Sequence, residues 1–322
     1  MEPTTATFFD LVRDDLPLVE ARMREAPNGV QPRLQAAIDQ LLTSGGKRLR
    51  PTLALLSGRM LAADHHSLIY LAAAIEMLHT ATLVHDDLID GSLVRRGYPT
   101  LNAQWPAGAT VLAGDYIFAR AAHLASRIGS LPLMEQFART LMVIVQGEVT
   151  QLFREGSDDP RQAYFDRIYA KTASLFEMAT QGAARLSPVP PETVEAMRRF
   201  GFHLGMAFQI VDDALDFVGN EVRVGKPLGS DLRQGLITLP TLCYIESQED
   251  PGLLASLRSG RLGPAEVSDL VDSIRRSGAV DQALAEARQA IAAGEEMLAT
   301  VPDNPVRAAL FEVARYIVDR TV

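Results

Sequence analysis

The sequence predicts an all-α fold, in which residues 1–322 form a single domain, a helical bundle around a central apolar cavity. Three observations support this prediction. Apolar residues recur with the helical period in nearly every long segment, no segment sustains the period-two alternation of strands, and alanine, leucine and methionine dominate the apolar positions. Because no linker or low-complexity region interrupts the pattern, one all-α domain is the simplest organisation.

The first third of the chain predicts four helices. Phe8 to Arg24 reads as an amphipathic helix, and Pro32 to Ser44 as a second one. Gly45-Gly46 ends the second helix. Pro51 opens the third, because proline suits the first helical position. Residues 65–93 form a long fourth helix that is apolar on most of its surface.

The rest of the chain alternates helices and loops. Arg95 to Pro99 is a basic, turn-prone segment, and Gly219 to Gly235 is a loop long enough to be functional. Further helices are predicted at residues 108–128, 131–153, 161–186, 191–218, 236–248, 264–277, 279–299 and 303–320. The last three are more polar, which predicts an outer layer over the bundle.

Composition excludes several classes of protein. With 47% hydrophobic residues, the 322-residue chain can bury a large core, and its net charge of −9 argues against a nucleic-acid partner. Cys243 is the only cysteine, so an intrachain disulfide is excluded and a cytoplasmic location is expected. We expect no signal peptide and no transmembrane segment, because no uninterrupted apolar run reaches about 18 residues.

Three carboxylates lie at the end of the long helix predicted at residues 65–93. Asp86 and Asp90 are one helical turn apart and share a face, while Asp87 is turned away by about 100°. His79 lies two turns before Asp86 on nearly the same side. Acids at the end of an apolar helix are costly to bury unless cations neutralise them.

A second group of acids repeats this spacing. Asp212, Asp213 and Asp216 form another Asp-Asp-x-x-Asp segment at the end of the helix predicted at residues 191–218. Two such clusters facing each other across a cavity would form an all-oxygen site, which suits magnesium. Mg²⁺ is therefore the expected cofactor.

Four basic sites accompany the acids: Lys47 with Arg50, Arg95 with Arg96, Lys171, and Lys226. Each has an ordinary explanation by itself, as a basic turn, a helix C-terminal cation, a snorkelling lysine or a loop lysine. The first follows Gly45-Gly46 and precedes a helix, a combination that also suits a phosphate or diphosphate. Magnesium between the acids and diphosphates beyond them would explain both sets of charges.

His79 allows a different hypothesis. Glu76 and His79 have the Glu-x-x-His spacing of carboxylate-bridged di-iron bundles. Those bundles need this element twice, and none of the other five histidines has a glutamate three residues before it. A di-iron centre is therefore disfavoured, and a histidine on an apolar helix is more often a core residue.

Taken together, the motifs resemble those of trans-isoprenyl diphosphate synthases of the polyprenyl synthetase family. The resemblance extends from about Gly45 to Pro240 and is specific because of the order and spacing of its motifs. Those motifs are Gly-Gly-Lys-Arg-Leu-Arg-Pro, His-Asp-Asp-Leu-Ile-Asp, Arg-Arg-Gly, Lys-Thr, Phe-Gln-Ile-Val-Asp-Asp-Ala-Leu-Asp and Gly-Lys-Pro-Leu-Gly-Ser-Asp.

The resemblance implies a fold and a reaction. The fold would be the isoprenoid synthase helical bundle, usually a homodimer. The enzyme would be a magnesium-dependent prenyltransferase that joins isopentenyl diphosphate head to tail, in a 1'-4 condensation, to an allylic diphosphate. Magnesium and the cations would stabilise the departing diphosphate, and the leaving group itself would take the proton that is lost.

The resemblance also implies residue roles. Asp86, Asp90 and Asp212 would hold magnesium, with Asp87, Asp213 and Asp216 assisting. The allylic diphosphate would contact Arg95, Lys171 and Lys226, and Thr172 and Gln209 would line the reacting centre. Isopentenyl diphosphate would contact Lys47, Arg50, His79 and Arg96. One departure is Leu236, where the family often has a lysine; its absence makes Lys226 more important.

Product length depends on the floor of the apolar channel, one helical turn before Asp86. Ala81 and Thr82 are both small there, and in the family bulky aromatics at this level stop growth early. We therefore expect a product longer than farnesyl, geranylgeranyl or longer. Candidates for a deeper block are Phe118, His123, Met142 and Val145.

Three alternative functions are weighed against this one. A non-catalytic or regulatory subunit of a heteromeric prenyl synthase commonly loses aspartates from one cluster, whereas all six are present here. A class I terpene cyclase normally lacks the isopentenyl diphosphate site, whose four expected residues are present. A structural bundle without a ligand leaves the paired acidic clusters unexplained.

Overall fold

The computed structural model describes residues 7–27, 29–153, 158–218, 228–248, 251–258 and 262–319, without the side chains of Thr7 and Pro251. Nearly all the regular structure in these residues is helical, as predicted. The helices are α1 Leu16–Arg24, α2 Pro32–Thr43, α3 Leu49–Met60, α4 His65–Ile89, α5 Leu101–Gln104, α6 Ala107–Ser126, α7 Leu131–Leu152, α8 Pro160–Ile168, α9 Ser174–Arg185, α10 Pro191–Val218, α11 Ser230–Arg233, α12 Leu239–Gln248, α13 Pro251–Arg258, α14 Pro264–Arg276, α15 Ala279–Ala299 and α16 Pro305–Asp319.

Four further elements are part of the described structure. A 3-10 helix, Thr7–Val12, precedes α1, and a π-helical turn, Tyr169–Ala173, joins α8 to α9. Strands β1 Val94–Arg95 and β2 Tyr98–Pro99 pair antiparallel between α4 and α5, with Val94 opposite Pro99 and Arg95 opposite Tyr98.

The chain divides into two compact units. The first comprises Met1–Leu141, Leu175–Gly201 and Met297–Glu312, and the second comprises Met142–Ser174, Phe202–Glu296 and Val313–Val322. The single-domain organisation expected from the sequence stays a prediction.

Helix α4 is the core helix of the first unit and packs against α1, α3 and α6. Leu71, Ala74, Ile75 and Leu78 are fully buried along it, which explains why the sequence is apolar all round. The Asp64 side chain accepts a hydrogen bond of 2.8 Å from the backbone N–H of Ser67, so the helix begins with an N-cap. It ends at Ile89, just after the first pair of aspartates.

Helix α4 is also the one helix in the described ranges that is long and apolar enough to cross a membrane. However, 78% of its most apolar window is buried inside the protein. That degree of burial is typical of a core helix, so the expectation of no transmembrane segment needs no revision on account of α4.

The second unit combines α8, the π-helical turn and the later part of α10 with the more polar helices near the end of the chain. Val211, Ala214 and Phe217 are fully buried on α10. Helix α14 buries Leu270, Val271 and Ile274 and exposes much of its remaining surface. This one-sided burial matches the amphipathic pattern of its sequence.

Several details of the prediction were wrong. The third helix starts at Leu49 and not at Pro51, and the π-helical turn divides the helix predicted at residues 161–186. The first helix, predicted from Phe8 to Arg24, is instead a 3-10 helix followed by α1, which starts at Leu16. Pro17 explains the break, since proline lacks an N–H and clashes with the preceding turn of a continuous helix. The turn predicted between Arg95 and Pro99 is present, but two short strands flank it, so the segment is most of a β-hairpin.

Candidate active site

The first aspartate segment occupies the C-terminal end of α4. Asp86 is buried, whereas Asp90 is exposed and caps the helix, with its backbone N–H 2.8 Å from the carbonyl oxygen of Asp86. The two residues are therefore one turn apart on one side of the helix, as predicted. Because the C-terminal end of a helix carries partial negative charge, it adds to the attraction of the two acids for a cation.

Asp87 has a different environment from its two neighbours. Its side chain is buried, and its Oδ1 accepts a hydrogen bond of 2.8 Å from Nε of Arg95. Its backbone carbonyl accepts another from the N–H of Ser92 at 2.8 Å. Asp87 therefore ties the end of α4 to the β-hairpin, and its turn away from Asp86 and Asp90 follows the 100° step predicted from the sequence.

The hairpin places its two arginines through an unusual turn. Arg96 and Gly97 form its two-residue loop, and both have positive φ, 53° and 80°. Positive φ at both positions is the geometry of a type I′ turn, which glycine tolerates without strain. A Cβ added to Gly46 would lie 2.7 Å from Nη2 of Arg96, so the Arg96 guanidinium packs closely on the backbone of Gly46.

One pocket of the first unit contains two of the four residues predicted to contact isopentenyl diphosphate, His79 and Arg96, and also Arg95, which was predicted to contact the allylic diphosphate. His79, Arg95 and Arg96 line it together with the backbone of Gly45 and Gly46. The other two predicted residues are not part of its lining. Lys47 is exposed, and Arg50 is half-buried with its guanidinium 5.1 Å from the centre of the Phe176 ring.

Arg48 lies between Lys47 and Arg50. The sequence alone did not indicate that its role differs from theirs. Arg48 has a positive φ of 52° and points into the protein, where it pairs with Glu76 at 2.9 Å and Glu20 at 3.1 Å. It also donates to the carbonyl of Leu42 at 2.6 Å. A signal existed, since Glu76 is the only acid between residues 65 and 85 and needs a buried partner.

His79 lies in a strongly positive environment. Burial and the positive charges of Arg50, Arg96, Arg95 and Arg48 lower the pKa of His79 well below its usual value of 6.5. The imidazole is therefore neutral at physiological pH. A neutral imidazole has one N–H donor, so it can still bind a phosphate oxygen. Burial and the neighbouring charge of Arg95 also lower the pKa of Arg96.

The second aspartate segment lies near the end of α10 in the second unit. Asp212 is half-buried, whereas Asp213 is buried and accepts two hydrogen bonds of 2.8 Å, from the hydroxyl of Tyr164 and from Nε2 of Gln209. Burial raises the pKa of Asp213 to about 7, although these hydrogen bonds oppose the shift. Asp213 is thus held by side chains on two helices.

Asp216 connects α10 with α11. Its Oδ1 accepts a hydrogen bond of 2.9 Å from the hydroxyl of Ser230, and its Oδ2 accepts one of 3.0 Å from the backbone N–H of Asp231. Its carbonyl oxygen accepts a third from the N–H of Gly229 at 2.8 Å. Lys226, predicted to bind the allylic diphosphate, lies outside the described residues.

Lys171 and Thr172 lie in the π-helical turn. The sequence had predicted a continuous α-helix there. π-Helical turns are rare and frequently occur at functional sites. Lys171 Nζ lies 3.0 Å from Oε1 of Glu148, and the Thr172 hydroxyl donates to Oε1 of Gln209 at 2.6 Å. The turn thus brings together three residues predicted for the allylic site, Lys171, Thr172 and Gln209.

Close packing holds this turn in place. A Cβ on Gly147 would lie 2.4 Å from Cβ of Ala170, so α7 approaches the turn directly through Gly147. The Tyr169 ring lies 5.7 Å from the Phe202 ring on α10. The position of Lys171 therefore depends on two neighbouring helices.

The residues predicted to set product length differ in their exposure. Ala81 is fully buried, and Thr82 is half-buried with its hydroxyl 2.8 Å from the His79 carbonyl. Among the deeper candidates, Phe118 is half-buried with its ring 5.2 Å from that of His85. His123, Met142 and Val145 are exposed in the single chain.

The described acids suit magnesium bound together with a phosphate substrate. No group of three or more carboxylate, histidine or cysteine side chains in the described ranges forms a complete protein cage for a metal. Magnesium does not require one, since it is usually held by one or two carboxylates, waters and substrate phosphates. Asp86 and Asp90 supply two such carboxylates.

Comparison with known proteins identifies the relatives of this chain. Residues 31–274 match the family model described as polyprenyl synthetase. The chain is 34% identical over 314 residues to heptaprenyl diphosphate synthase component 2 of Geobacillus stearothermophilus, covering 96% of this chain and 97% of the relative. It is 33% identical over 323 residues to a short chain isoprenyl diphosphate synthase of Methanothermobacter thermautotrophicus, covering 97% and 98%.

A solved structure is similar along nearly the whole chain. The polyprenyl synthase of Caulobacter crescentus, complexed with calcium and isoprenyl diphosphate, matches with a TM-score of 0.88 and 34% identity, covering 99% of this chain and 100% of that one. The predicted helical fold and the family resemblance are thereby confirmed.

Proposed function

This chain belongs to the polyprenyl synthetase family and is a head-to-tail prenyl diphosphate synthase, and on that premise we propose that it makes an all-trans polyprenyl diphosphate longer than farnesyl. The proposed substrates are isopentenyl diphosphate and an allylic diphosphate. The observation that supports this proposal most directly is the pair Asp86 and Asp90, one turn apart at the end of α4. Beside them is a hairpin whose arginines line a pocket together with His79.

In the proposed reaction, the bond between the allylic carbon and its diphosphate oxygen breaks, leaving an allylic carbocation. The double bond of isopentenyl diphosphate then supplies the electron pair of the new carbon–carbon bond. The proton lost from the adjacent carbon passes to the leaving diphosphate. When bound, Mg²⁺ would supply positive charge to that diphosphate as its negative charge develops.

The aspartates and the cations beside them would orient the allylic substrate. Asp86, Asp90 and Asp212 provide the magnesium ligands in this proposal, while Asp87, Asp213 and Asp216 support them through their hydrogen bonds and through water. Lys171, Lys226 and Arg95 hold the allylic diphosphate, and Thr172 and Gln209 line the reacting centre. The contact of Lys171 with Glu148 at 3.0 Å supports this role, because it fixes the direction of the ammonium group.

The pocket of the first unit would bind isopentenyl diphosphate. Arg96 and the neutral His79 line it, and in this proposal Lys47 and Arg50, which are outside the lining, would add positive charge. The arginines provide positive charge without magnesium, which suits a diphosphate that does not leave during the reaction. These side chains also argue against a class I terpene cyclase, which normally lacks an isopentenyl diphosphate site.

Product length is set in this proposal by the channel floor at Ala81 and Thr82. Both side chains are small, so the floor leaves room for a growing chain. Each added CH₂ group buried in the channel contributes about 0.8 kcal/mol, which favours elongation. The relatives do not fix the length, because a heptaprenyl synthase component and a short chain synthase are 34% and 33% identical to this chain.

We propose a cytoplasmic homodimer. Met142, Val145, Val149 and Leu152 recur every three or four residues along α7, and they are 44% to 66% exposed in the single chain. A second copy of the same chain would cover this apolar stripe. The relative named component 2 suggests a second candidate, in which a different subunit covers the stripe and is needed for activity.

One assay tests these proposals together. Purified protein is incubated with Mg²⁺, labelled isopentenyl diphosphate and allylic primers of several lengths, and the products are sized by chromatography. Condensation by the protein alone, with the mass of a dimer by light scattering, supports the homodimeric enzyme. No product with any primer contradicts an independent catalyst, and farnesyl diphosphate as the final product contradicts the predicted length.

A further inference from the structure

The hydroxyl of Tyr164 begins a chain of hydrogen bonds that ends at Thr172. Tyr164 is 1% exposed on α8 and donates to Oδ2 of Asp213 at 2.8 Å. The other oxygen, Oδ1, accepts from Nε2 of Gln209 at 2.8 Å, and Oε1 of Gln209 accepts from Thr172 at 2.6 Å. Three hydrogen bonds thus link Tyr164, Asp213, Gln209 and Thr172 within the second unit.

The direction of this chain is fixed by chemistry. The Gln209 atom that faces Asp213 is Nε2, and an amide nitrogen only donates, so Asp213 accepts this hydrogen bond. The carbonyl oxygen of Gln209 then faces Thr172, and the Thr172 hydroxyl must donate its proton to it. The lone pairs of Thr172 are consequently directed away from Gln209.

We propose that Tyr164 is a positioning residue for the condensation reaction, because it anchors the carboxylate that orients Gln209 and Thr172. This inference rests on the proposed function, in which those two residues line the reacting centre. Tyr164 is almost fully buried and acts through Asp213 rather than on the substrate.

The surroundings of Tyr164 favour a fixed hydroxyl. The guanidinium of Arg167 lies 5.3 Å from the centre of its ring and donates to the carbonyl of Ile237 at 2.8 Å. The ring of Phe165 lies 5.3 Å away on another side. Because the Tyr164 ring is enclosed, its hydroxyl has little freedom to leave Asp213.

Thr172, at the other end of this series of hydrogen bonds, is also held in place. Thr172 lies in the π-helical turn, which Gly147 and Phe202 hold by contact with Ala170 and Tyr169. A small rotation of the Gln209 amide would therefore change the direction of the Thr172 hydroxyl more readily than it would move the backbone of the turn. Misplacement of a reacting group by about 1 Å can cost about 100-fold in rate.

The test compares steady-state kinetics of the full-length wild type, Tyr164→Phe, Thr172→Val and the double variant. We expect Tyr164→Phe to lower kcat by about 10- to 100-fold while KM for isopentenyl diphosphate changes less than twofold. If Tyr164 acts through Thr172, adding Tyr164→Phe to Thr172→Val lowers kcat less than twofold further. Rates are measured well below each variant's unfolding midpoint, so that a destabilised protein is assayed folded.

Tyr116→Phe is the matched control. Tyr116 lies on α6 in the first unit, and its hydroxyl has no hydrogen-bond partner among the described residues, so kcat should not change. Wild-type kcat in Tyr164→Phe, or independent losses that multiply in the double variant, would overturn the positioning role. Absence of condensation by the wild type would instead contradict the proposed function, so the two failures are distinguishable.

Discussion

Arg95 Nε lies 2.8 Å from Oδ1 of Asp87, so the middle acid of the first aspartate segment already has a cation from the protein itself. Asp86 and Asp90 lie on another side of α4. The Asp-Asp-x-x-Asp segment therefore contains acids in two environments, the pair proposed to bind magnesium and a single acid that anchors the hairpin.

This difference predicts unequal effects of matched substitutions. Asp86→Asn should lower kcat by about 100-fold or more, because it removes negative charge from a magnesium ligand. Asp87→Asn should lower kcat less but should lower the unfolding midpoint, because Arg95 loses its buried partner. Kinetics at saturating Mg²⁺ and thermal unfolding without Mg²⁺ separate the two effects. Equal losses of kcat with equal midpoints would contradict the distinction.

Lys47 and Arg48 are adjacent cations with different predicted roles. Arg48→Met leaves Glu76 buried without its cation and should destabilise the protein by about 3–5 kcal/mol. Lys47→Met removes an exposed charge, so the free energy of unfolding should change by less than about 0.5 kcal/mol. It should instead raise KM for isopentenyl diphosphate. Urea unfolding and steady-state kinetics check both variants, and a loss of stability in Lys47→Met would contradict the assignment.

The low pKa of His79 predicts a pH dependence of stability. As pH falls below about 6.5, the imidazole takes up a proton in the unfolded chain but not in the folded protein. The folded state therefore loses about 1.4 kcal/mol of stability per pH unit until the pKa of folded His79 is reached.

The measurement compares wild type with His79→Gln in urea unfolding between pH 7.5 and pH 5. The other five histidines are common to both proteins, so the difference reports His79. We expect the wild type to lose more stability than His79→Gln over this range. Parallel curves would show that His79 is protonated in the folded protein.

The close contact between Gly147 and Ala170 predicts that helix packing affects the position of Lys171. Gly147→Ala introduces a Cβ 2.4 Å from that of Ala170, so the π-helical turn must move. We expect a lower unfolding midpoint and a higher KM for the allylic diphosphate. Gly108→Ala is the control, since a Cβ there has no atom within 4 Å. Alanine in a helix is favoured over glycine by about 0.5–1 kcal/mol, so this variant should be slightly more stable and fully active.

Ala81 predicts the length of the product. Ala81→Phe adds a large side chain at a fully buried position one turn before Asp86, so the final product should become shorter. Ala103→Phe adds the same group at an exposed position on α5 and should leave the product unchanged. Chromatography of the dephosphorylated products measures both variants. An unchanged product from folded Ala81→Phe would show that the channel does not pass Ala81.

Helices and motifs were predictable because they depend on periodicity and local spacing. The helix at 191–218 was predicted with the bounds that α10 has, and α4 was recognised from its apolar composition. The side-chain partners were not predictable, because they join residues far apart in the chain. The pairs Arg48–Glu76, Lys171–Glu148 and Tyr164–Asp213 are examples.

Local backbone geometry was also missed. The hairpin at 94–99 is too short to show a period of two, and a single π-helical turn leaves the apolar pattern of its helix almost unchanged. In each case the sequence pointed to the residue proposed to bind diphosphate, Arg95 or Lys171, but not to the backbone geometry around it.

The hydrogen bonds of Asp216 affect how its substitutions should be interpreted. Gly229, Ser230 and Asp231 donate three hydrogen bonds to Asp216, one to its backbone carbonyl and two to its carboxylate, so this residue connects the end of α10 with the start of α11. Replacing Asp216 with alanine would remove a carboxylate and, at the same time, the two side-chain hydrogen bonds that hold the start of α11. Loss of activity in such a protein would be no measure of metal affinity, and Asp212 is the cleaner position at which to ask that question.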